Sequence, residues 1–384
     1  MRTLRYIVAL LLMLVLNLPA QTKFYVDITR PDDSGDGLSW AEAKKNLRTA
    51  NALAVEGDEI WVAAGVYYPD EGVGSTNNNK SQKFLIQNSI KVYGGFEGNE
   101  AEISDREKRD KDGDGIVQPW EFEHVSILSG DMGQDDVNDD MNNIVEDVLS
   151  HIKGINSEKL VEIVVPVPGE VVLDGLVFTG ASHYSGINST SNAQIDSCII
   201  IGNKNRSSGG GITTSNSNSA TIKITGSLIT RNWAESYGGG VHIYQTPNAI
   251  LKNVTISLNK TGRSGNGGGL NVRDSNTELI NCVISGNETT SSGGGIYYYS
   301  GSSSSVLKNC LISGNTSGGT GGGIFNASSG GLELYNCTIV SNKSTAGDGG
   351  AIYNSGSSVN ISSSIFWGNS VNPKAKLHKG MNPV

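Results

Sequence analysis

The phrases LINCVISGN at 279–287, LKNCLISGN at 307–315 and LYNCTIVSN at 334–342 decide the fold of this chain. Each phrase ends in an asparagine, and similar phrases recur throughout the C-terminal half. The successive spacings are 29, 27, 28, 28, 27 and 27 residues between Asn203, Asn232, Asn259, Asn287, Asn315, Asn342 and Asn369. A repeat of this length is typical of a solenoid, in which each repeat forms one turn stacked on the next.

A second repeat lies half a turn away from the first. It is a run of glycines followed by an aliphatic residue, as in GGGI at 293–296 and GGAI at 349–352. Within the asparagine phrases, the residues eight and three positions before each asparagine are apolar on every turn. Apolar rows at fixed phase would fill the interior of a solenoid. We therefore predict an all-β fold, a right-handed parallel β-helix with about 28 residues and two strands per turn.

The repeated asparagines, glycines and cysteines are interpreted as fold determinants. Asparagine tolerates the left-handed conformation of a sharp bend, and its amide can bond to the asparagine one turn away. Glycine lets the chain pass close to its neighbours at the other bend. One inward stack is predicted for the cysteines, which stand five residues before their asparagines as Cys198, Cys282, Cys310 and Cys337. A disulfide between stacked neighbours is the alternative.

The charge of the chain is concentrated in one segment. The 384 residues carry a formal net charge of −9, and the segment from Glu100 to Asp147 alone, with 16 acidic and 4 basic residues, carries −12. The remainder therefore carries +3 and lacks the basic stripe that nucleic-acid binding needs. We expect no nucleic-acid partner.

The N-terminal sequence predicts export. Residues 1–20 combine two arginines, the apolar run IVALLLMLVL and a Leu-Pro-Ala ending, which is typical of a secretory signal peptide. The apolar run is too short to span a membrane, and no later segment is long and apolar enough. We expect an extracellular or cell-surface protein without a membrane-spanning segment in the mature chain.

Four regions follow the predicted signal peptide. They are an N-terminal cap with the first turn at 21–70, irregular early turns at 71–170, the regular β-helix at 171–370 and a polar tail at 371–384. We expect a monomer. The exception would be pairing of the C-terminal end with a second copy, since we predict no cap there.

The predicted cap is a helix that covers the first turn. Ser39 and Glu42 have the spacing of a capping box. An apolar stripe at helical spacing is formed by Trp40, Ala43, Leu47, Ala50 and Ala54. Without such a cover, the first turn would expose a strand edge and the top of the core.

Two groups of phrases resemble known families. GGAI at 349–352 with FWGN at 366–369 resembles the repeats of polymorphic outer-membrane proteins, which are surface β-helix adhesins of Gram-negative bacteria. The other turns depart from that pattern by using GGG and I-x-x-N. DGLSWAEA at 36–43, GDEIWVAAGVYYP at 57–69 and ILSGD at 127–131 are similar to the opening of many secreted bacterial β-helix proteins. The resemblance implies this fold and a secreted or surface location in a Gram-negative bacterium.

The acidic segment contains the spacing of a calcium-binding loop, DKDGDGIVQPWE at 110–121. Calcium takes six to eight oxygen ligands, and this pattern supplies them from one segment. The predicted ligands are the carboxylates of Asp110, Asp112 and Asp114, the backbone carbonyl of Ile116 and the bidentate carboxylate of Glu121. A solvated acidic loop is the alternative, since Pro119 and the lack of an exiting helix depart from the pattern. We call residues 110–121 the calcium-type loop.

The strands after the glycine runs predict a candidate binding face. Alternation sends the first and third residues after the aliphatic one outward. This gives His242, Tyr244, Asn271, Arg273, Tyr297, Tyr299, Phe325 and Tyr353. Stacked turns would align these side chains into one aromatic and polar face, which suits sugar rings or a protein partner. The alternative is that the aromatic residues are only good strand formers covered by loops.

The sequence shows no recognisable catalytic phrase. A pectin-type hydrolase needs clustered aspartates, and a uronate lyase needs a base beside a group that neutralises the carboxylate. We favour a secreted or surface binding or adhesion protein that recognises a polysaccharide or a surface protein. A polysaccharide lyase or hydrolase is the first alternative, by fold analogy, with His242, Arg273 and Tyr297 as its candidates if it is a lyase. A structural spacer is the second.

Overall fold

The computed structural model describes residues 21–138, 141–215, 220–299 and 304–372. The predicted signal peptide and most of the polar tail lie outside these ranges. Within them the chain winds into a parallel β-solenoid with little helix, which confirms the predicted fold class. No helix in the described ranges has the length and apolar character needed to cross a membrane.

Four sheets run along the solenoid, and strands of neighbouring turns pair in parallel. Sheet 1 contains Lys23–Val26, Glu59–Ala63, Lys91–Phe96, Glu170–Asp174, Asn192–Asp196, Thr221–Thr225, Asn248–Lys252, Asn276–Ile280, Ser305–Lys308, Leu332–Tyr335 and Val359–Ser362. Sheet 2 contains Gly65–Tyr67, Ser126–Ser129, Leu176–Thr179, Ile199–Ile201, Leu228–Thr230, Thr255–Ser257, Val283–Ser285, Leu311–Ser313, Thr338–Val340 and Ile365–Trp367.

The other two sheets complete the cross-section. Sheet 3 contains Lys204–Asn205, Trp233–Ala234, Lys260–Thr261, Glu288–Thr289, Thr316–Ser317, Lys343–Ser344 and Ser370–Val371. Sheet 4 contains Phe84–Ile86, Val161–Ile163, Ile187–Ser189, Ile212–Thr214, Val241–Tyr244, Leu270–Arg273, Ile296–Tyr299, Ile324–Asn326 and Ile352–Asn354. In the regular turns the chain passes through sheets 1, 2, 3 and 4 in that order.

The structure corrects the predicted number of strands per turn from two to four. In LINCVISGN, Leu279 belongs to sheet 1 and Ile284 belongs to sheet 2. Between them, Asn281 takes a left-handed backbone with φ of 54°. The bend keeps both aliphatic side chains inside, where each is fully buried. Apolar spacing does not reveal such a bend, because both side chains are inside with or without it.

The interior consists of the apolar rows that the sequence predicts. Each buried aliphatic side chain contributes about 1.5–3 kcal/mol relative to an exposed one. On sheet 1 the fully buried row is Ile195, Ile224, Leu251, Leu279, Leu307 and Leu334. On sheet 2 it is Ile200, Ile229, Ile256, Ile284, Ile312 and Ile339.

The asparagine row forms the predicted ladder. The amide Nδ2 of Asn287 donates to Oδ1 of Asn315 at 3.0 Å, and Nδ2 of Asn315 donates to Oδ1 of Asn342 at 2.9 Å. The predicted left-handed backbone is wrong for the asparagines themselves, since it occurs one residue earlier, as at Gly314 with φ of 64°. This placement leaves the N–H of Asn315 directed along the ladder, where it also donates to Oδ1 of Asn342.

The glycine runs allow close packing between turns, as predicted. A Cβ atom at Gly322 would lie 2.4 Å from the carbonyl oxygen of Gly350. Real Cβ atoms do not approach backbone so closely. A side chain at this position would therefore push the two turns apart.

The cysteines form the predicted inward stack and are all free. All four thiols are buried. The sulfur of Cys282 lies 3.3 Å from the carbonyl oxygen of Leu251, and that of Cys310 lies 3.5 Å from the carbonyl oxygen of Leu279. The disulfide alternative is therefore wrong for this structure.

The N-terminal helix is shorter than predicted. The α-helix is Leu47–Leu53, and a 3₁₀ helix lies at Ile103–Asp105. The hydroxyl of Ser39 does accept the N–H of Glu42 at 3.2 Å, but no helix follows. The reason is that Lys44 pairs with the first strand through its own N–H and C=O groups, which a helix would need.

The short helix nevertheless covers the first turn. Leu47 and Ala50 are buried and belong to the same apolar cluster as Phe24 and Val26 of the first strand. Trp40 lies outside the helix, and its indole N–H donates to the carbonyl oxygen of Glu100 at 3.0 Å. The predicted cap is thus present, but of the predicted stripe only Leu47 and Ala50 are helical.

The last described turn presents its apolar side chains to solvent. The exposed fractions are 49% for Ile361, 39% for Phe366 and 77% for Trp367. In the preceding turns, the residues equivalent to Ile361 and Phe366 are fully buried. These side chains are exposed because no described turn follows.

The early turns keep the common cross-section but carry long insertions. Lys91–Phe96 of sheet 1 leads to Ser126–Ser129 of sheet 2 through residues 97–125, whereas Asn276–Ile280 reaches Val283–Ser285 through two residues. The chain then runs through residues 130–160 before Val161–Ile163 of sheet 4. These two insertions contain 18 of the 38 acidic residues of the chain.

Candidate binding face and acidic clusters

Sheet 4 aligns the residues of the predicted binding face into two columns. In the first column, His242, Asn271, Tyr297, Phe325 and Tyr353 are direct partners on successive turns. In the second, Tyr244, Arg273 and Tyr299 are partners in the same way. The parallel register therefore brings together all eight predicted residues on one sheet.

Aromatic rings stack along the first column. The ring centroids of Tyr297 and Phe325 are 4.7 Å apart, and those of Phe325 and Tyr353 are 5.3 Å apart. Both pairs are close to parallel, at 5° and 16°. The three rings form a continuous, partly exposed apolar strip, of the kind on which a sugar ring can lie.

The other end of the first column is not exposed, which corrects the sequence expectation. His242 and Asn271 are buried at 7% and 2% exposure. Nδ1 of His242 lies 3.0 Å from Oδ1 of Asn271, an oxygen that can only accept, so the pair assigns the proton to Nδ1. Burial lowers the pKa of His242 to about 4, and Arg273 adds to the effect. The ring is therefore neutral at pH 7.

The cover over His242 comes from a residue that the sequence analysis missed. Tyr237 precedes the glycine run, and its ring stacks on His242 with centroids 5.8 Å apart. Tyr237 pairs with Asn266 of the next turn in an isolated bridge. The signal in the sequence is their common position before GGG, which places both residues at the edge of the same sheet.

Arg273 is the charged centre of the exposed part. Its guanidinium carbon lies 5.2 Å from the ring centroid of Tyr244 and 5.7 Å from that of Tyr299. A cleft of about 200 Å³ surrounds it, lined by Tyr237, Asn266, Asn271, Arg273, Tyr297 and Tyr299. The cleft offers aromatic faces, amide groups and one cation to a ligand.

The calcium-type loop brings three of its predicted ligands together. One carboxylate oxygen each from Asp110, Asp112 and Asp114 lies within 4.8 Å of the others. The carboxylate of Asp110 also accepts the N–H groups of Gly113 and Gly115 at 2.7 and 2.9 Å. These bonds lower the pKa of Asp110, with that from Gly115 the largest cause. The three carboxylates are hard oxygen ligands suited to calcium.

The other two predicted ligands lie differently. Glu121 is buried, and its two carboxylate oxygens accept the N–H groups of Lys111 at 3.0 Å and Gln118 at 2.7 Å. It is not part of the trio of nearby carboxylates. Ile116 is 60% exposed, with its N–H donating to the carboxylate of Asp114 at 2.7 Å. Glu121 therefore closes the base of the loop in this structure.

A second acidic cluster lies in the insertion at 130–160. One carboxylate oxygen each from Asp131, Asp135 and Asp136 lies within 4.8 Å of the others. Burial raises the pKa of Asp136 to about 7, and the nearby charges of Asp131 and Asp135 add to the rise. Its oxygens accept the N–H of Lys153 at 2.5 Å and the amide of Asn156 at 2.6 Å. Irregular spacing hides this cluster in the sequence.

Comparison with known proteins agrees with the architecture. Residues 235–378 match a protein family described as a right handed beta helix region. No curated protein matches the chain in sequence. The combination of this match, four parallel sheets and the asparagine ladder defines the protein as a right-handed parallel β-helix.

Three solved structures are similar to this chain. The pectate lyase Pel9A matches with a TM-score of 0.54 and 14% identity, over 93% of this chain and 79% of that chain. A complex of XylC with xylose has a TM-score of 0.45 and 12% identity, over 84% and 69% of the two chains. A rhamnogalacturonan lyase has a TM-score of 0.42 and 11% identity, over 89% and 87%. The likeness to Pel9A is one of fold.

Proposed function

We propose that this protein is a secreted or cell-surface binding module that recognises a glycan through the exposed part of sheet 4. The binding surface consists of Arg273 with Tyr244, Tyr299, Tyr297 and Phe325. The stacked pair of Tyr297 and Phe325 is the observation that carries the proposal. Flat aromatic rings with amide and guanidinium neighbours match a sugar, which has an apolar face and a rim of hydroxyl groups.

A double substitution tests the binding surface. Tyr297→Ala with Tyr299→Ala should abolish retention on the polysaccharide that the parent protein prefers in a panel of neutral polymers. Tyr335→Ala is the matched control, because Tyr335 is similarly exposed, at 40%, but lies on sheet 1. Unchanged circular dichroism would show that the fold is intact. Equal retention of the double variant and the parent would remove this surface from the proposal, and binding of none of the polymers would favour a protein partner.

The structure of the face does not favour the lyase alternative with His242 as its base. The imidazole is buried under Tyr237 and already bonded to Asn271. A general base must reach the proton that it abstracts. Arg273 and Tyr297 remain in the cleft, where they act as binding residues in this proposal.

We also propose that the calcium-type loop binds calcium through Asp110, Asp112 and Asp114, which stabilises the insertion at 97–125. The support is the sequence spacing together with the convergence of the three carboxylates. Glu121 and the carbonyl group of Ile116 would complete the ligand set after a local rearrangement. An ion bound only by the folded chain raises its melting temperature by mass action.

A thermal melt with calcium or with chelator tests the loop. Calcium should raise the melting temperature of the parent and slow proteolysis within 97–125, and Asp112→Ala should remove both effects. Glu107→Ala is the control, since this exposed residue carries the same charge but lies outside the trio. If chelator changes neither the melt nor the cleavage of the parent, the loop is a solvated turn.

A further inference from the structure

The surface of sheet 3 continues into the early turns, beyond the strands themselves. The N–H of Glu158 donates to the carbonyl oxygen of Lys80 at 2.8 Å, and the N–H of Tyr184 donates to that of Glu158 at 2.5 Å. The N–H of Arg206 then donates to the carbonyl oxygen of His183 at 2.8 Å. Residues far apart in the sequence thus lie on adjacent turns, roughly 4.8 Å from one to the next.

This continuation forms the floor of a basic cleft of about 440 Å³. Four cationic side chains line it, those of Lys80, Lys153, Lys204 and Arg206. His183 and Ser182 also line the cleft, and Glu158 is the acidic residue on its wall. A cluster of cations is unexpected on a chain with a net charge of −9.

The four cations make no ion pair with any residue in the described ranges. Some lysines on other surfaces do make ion pairs, as Lys308 does with Glu278 at 2.7 Å and Lys223 does with Glu170 at 3.5 Å. Four cations against the single carboxylate of Glu158 leave an excess of positive charge, and like charges repel one another. An anionic ligand would relieve this repulsion.

Aromatic rings adjoin the cations. The ammonium group of Lys204 lies 5.5 Å from the ring centroid of Trp233 on the next turn. Tyr184 is 42% exposed, and its ring meets that of His183 edge to face at 4.8 Å. The surroundings of the cleft therefore offer ring faces as well as positive charge.

We propose that this cleft binds an acidic polysaccharide, with Lys80, Lys153, Lys204 and Arg206 pairing with the carboxylate groups of its uronate rings. A cleft of this volume accommodates about one or two sugar rings. A uronate ring combines a carboxylate, which pairs with cations, with an apolar ring face, which suits the aromatic side chains beside the cleft. The site is separate from the aromatic surface of sheet 4 and does not rest on it.

Binding of polygalacturonate and of its methyl-esterified form to the full chain tests the proposal. The parent should bind the acid form at least ~10-fold more tightly than the ester, because the ester removes the charge-assisted bonds. Lys204→Gln with Arg206→Gln should weaken binding of the acid form by about 10-fold or more, and Lys80→Gln with Lys153→Gln should do the same. Equal affinity of the parent for acid and ester would overturn the proposal.

A matched pair of substitutions controls for total charge. Lys223→Gln with Lys308→Gln removes two positive charges from other surfaces and should leave the affinity within about twofold. If this control loses as much affinity as the cleft variants, binding is a general charge effect and the proposal fails. Tyr335→Ala, on sheet 1 and outside both surfaces, should leave polygalacturonate binding unchanged. Loss of binding to the acid form in the two cleft variants is specific to the basic cleft, whatever the outcome for the aromatic surface.

Discussion

The regular turns and the early turns share one cross-section, but the connections between their strands differ in length and in the residues that they carry. In the regular turns, two residues connect Asn276–Ile280 to Val283–Ser285, and nearly every side-chain position belongs to a row. In the early turns the same sheets are joined through residues 97–125 and 130–160. Both acidic clusters lie in these insertions, and Lys153 brings the second insertion to the edge of the basic cleft. Repetition stabilises the solenoid, and departures from repetition supply charged sites.

The regular turns and the insertions differ because the residue type is constrained at core positions and is free to change within an insertion. A core position must match the turns above and below it, because their backbones are held in parallel register. An insertion leaves the cross-section and returns to it, so only its two ends are constrained. The half-buried carboxylate of Asp136, with its raised pKa, lies in such an insertion.

The largest expected effect in this comparison belongs to a core row. Ile312→Ala removes a fully buried side chain between Ile284 and Ile339 and should lower the free energy of unfolding by ~2–5 kcal/mol. Ser313→Ala, at the next position and facing outward, should change it by less than about 0.5 kcal/mol. Denaturant midpoints of both variants check this. Small and equal shifts would contradict the inward assignment of Ile312.

A smaller effect is expected from the glycine that allows close packing. Gly322→Ala places a Cβ against the backbone of Gly350 and should cost ~1–3 kcal/mol of unfolding free energy. Gly314→Ala is the matched control, because its nearest atom would be 3.9 Å away and only its positive φ of 64° opposes a side chain. Denaturant unfolding should show Gly322→Ala as the more destabilised variant. The opposite order would show that backbone conformation, and not contact between turns, makes glycine necessary.

The smallest expected effect lies in the insertions and depends on pH. The pKa of Asp136 is raised in the folded chain to about 7 from an ordinary 3.8. The folded state therefore binds a proton more tightly than the unfolded state, and stability falls as pH rises from about 4 to 7. Asp136→Asn removes this loss and should raise the melting temperature at pH 8, in chelator, with little change at pH 4.

Asp147→Asn supplies the control of opposite sign. Hydrogen bonds from Ser150 and Leu149 lower the pKa of Asp147, so its contribution to stability is present above its ordinary pKa and is lost as pH falls. This variant should not gain stability at pH 8. A gain for Asp147→Asn equal to that for Asp136→Asn would attribute the effect to net charge instead of to the buried carboxylate.

The sequence predicted which residues form the candidate face, but it did not predict which of them are buried. Equal spacing after the glycine runs identified the residues from His242 to Tyr353, because strand alternation and parallel register follow from the repeat. The burial of His242 and Asn271 could not be predicted, since it depends on Tyr237 folding over the sheet from the preceding loop. The sequence analysis also missed the basic cleft, because Lys80, Lys153 and Lys204 share no sequence pattern.

The sequence by itself determined the solenoid, its inward rows and its asparagine ladder, because each turn repeats the same local chemistry and neighbouring turns are nearest neighbours in space. Only the tertiary structure decided the four-strand turn, the later start of the helix and the meeting of Asp131 with Asp136 and Asn156. Insertions contain no repeat that links their residues. Their contacts depend on how each segment folds back on the solenoid, and spacing along the chain does not encode that path.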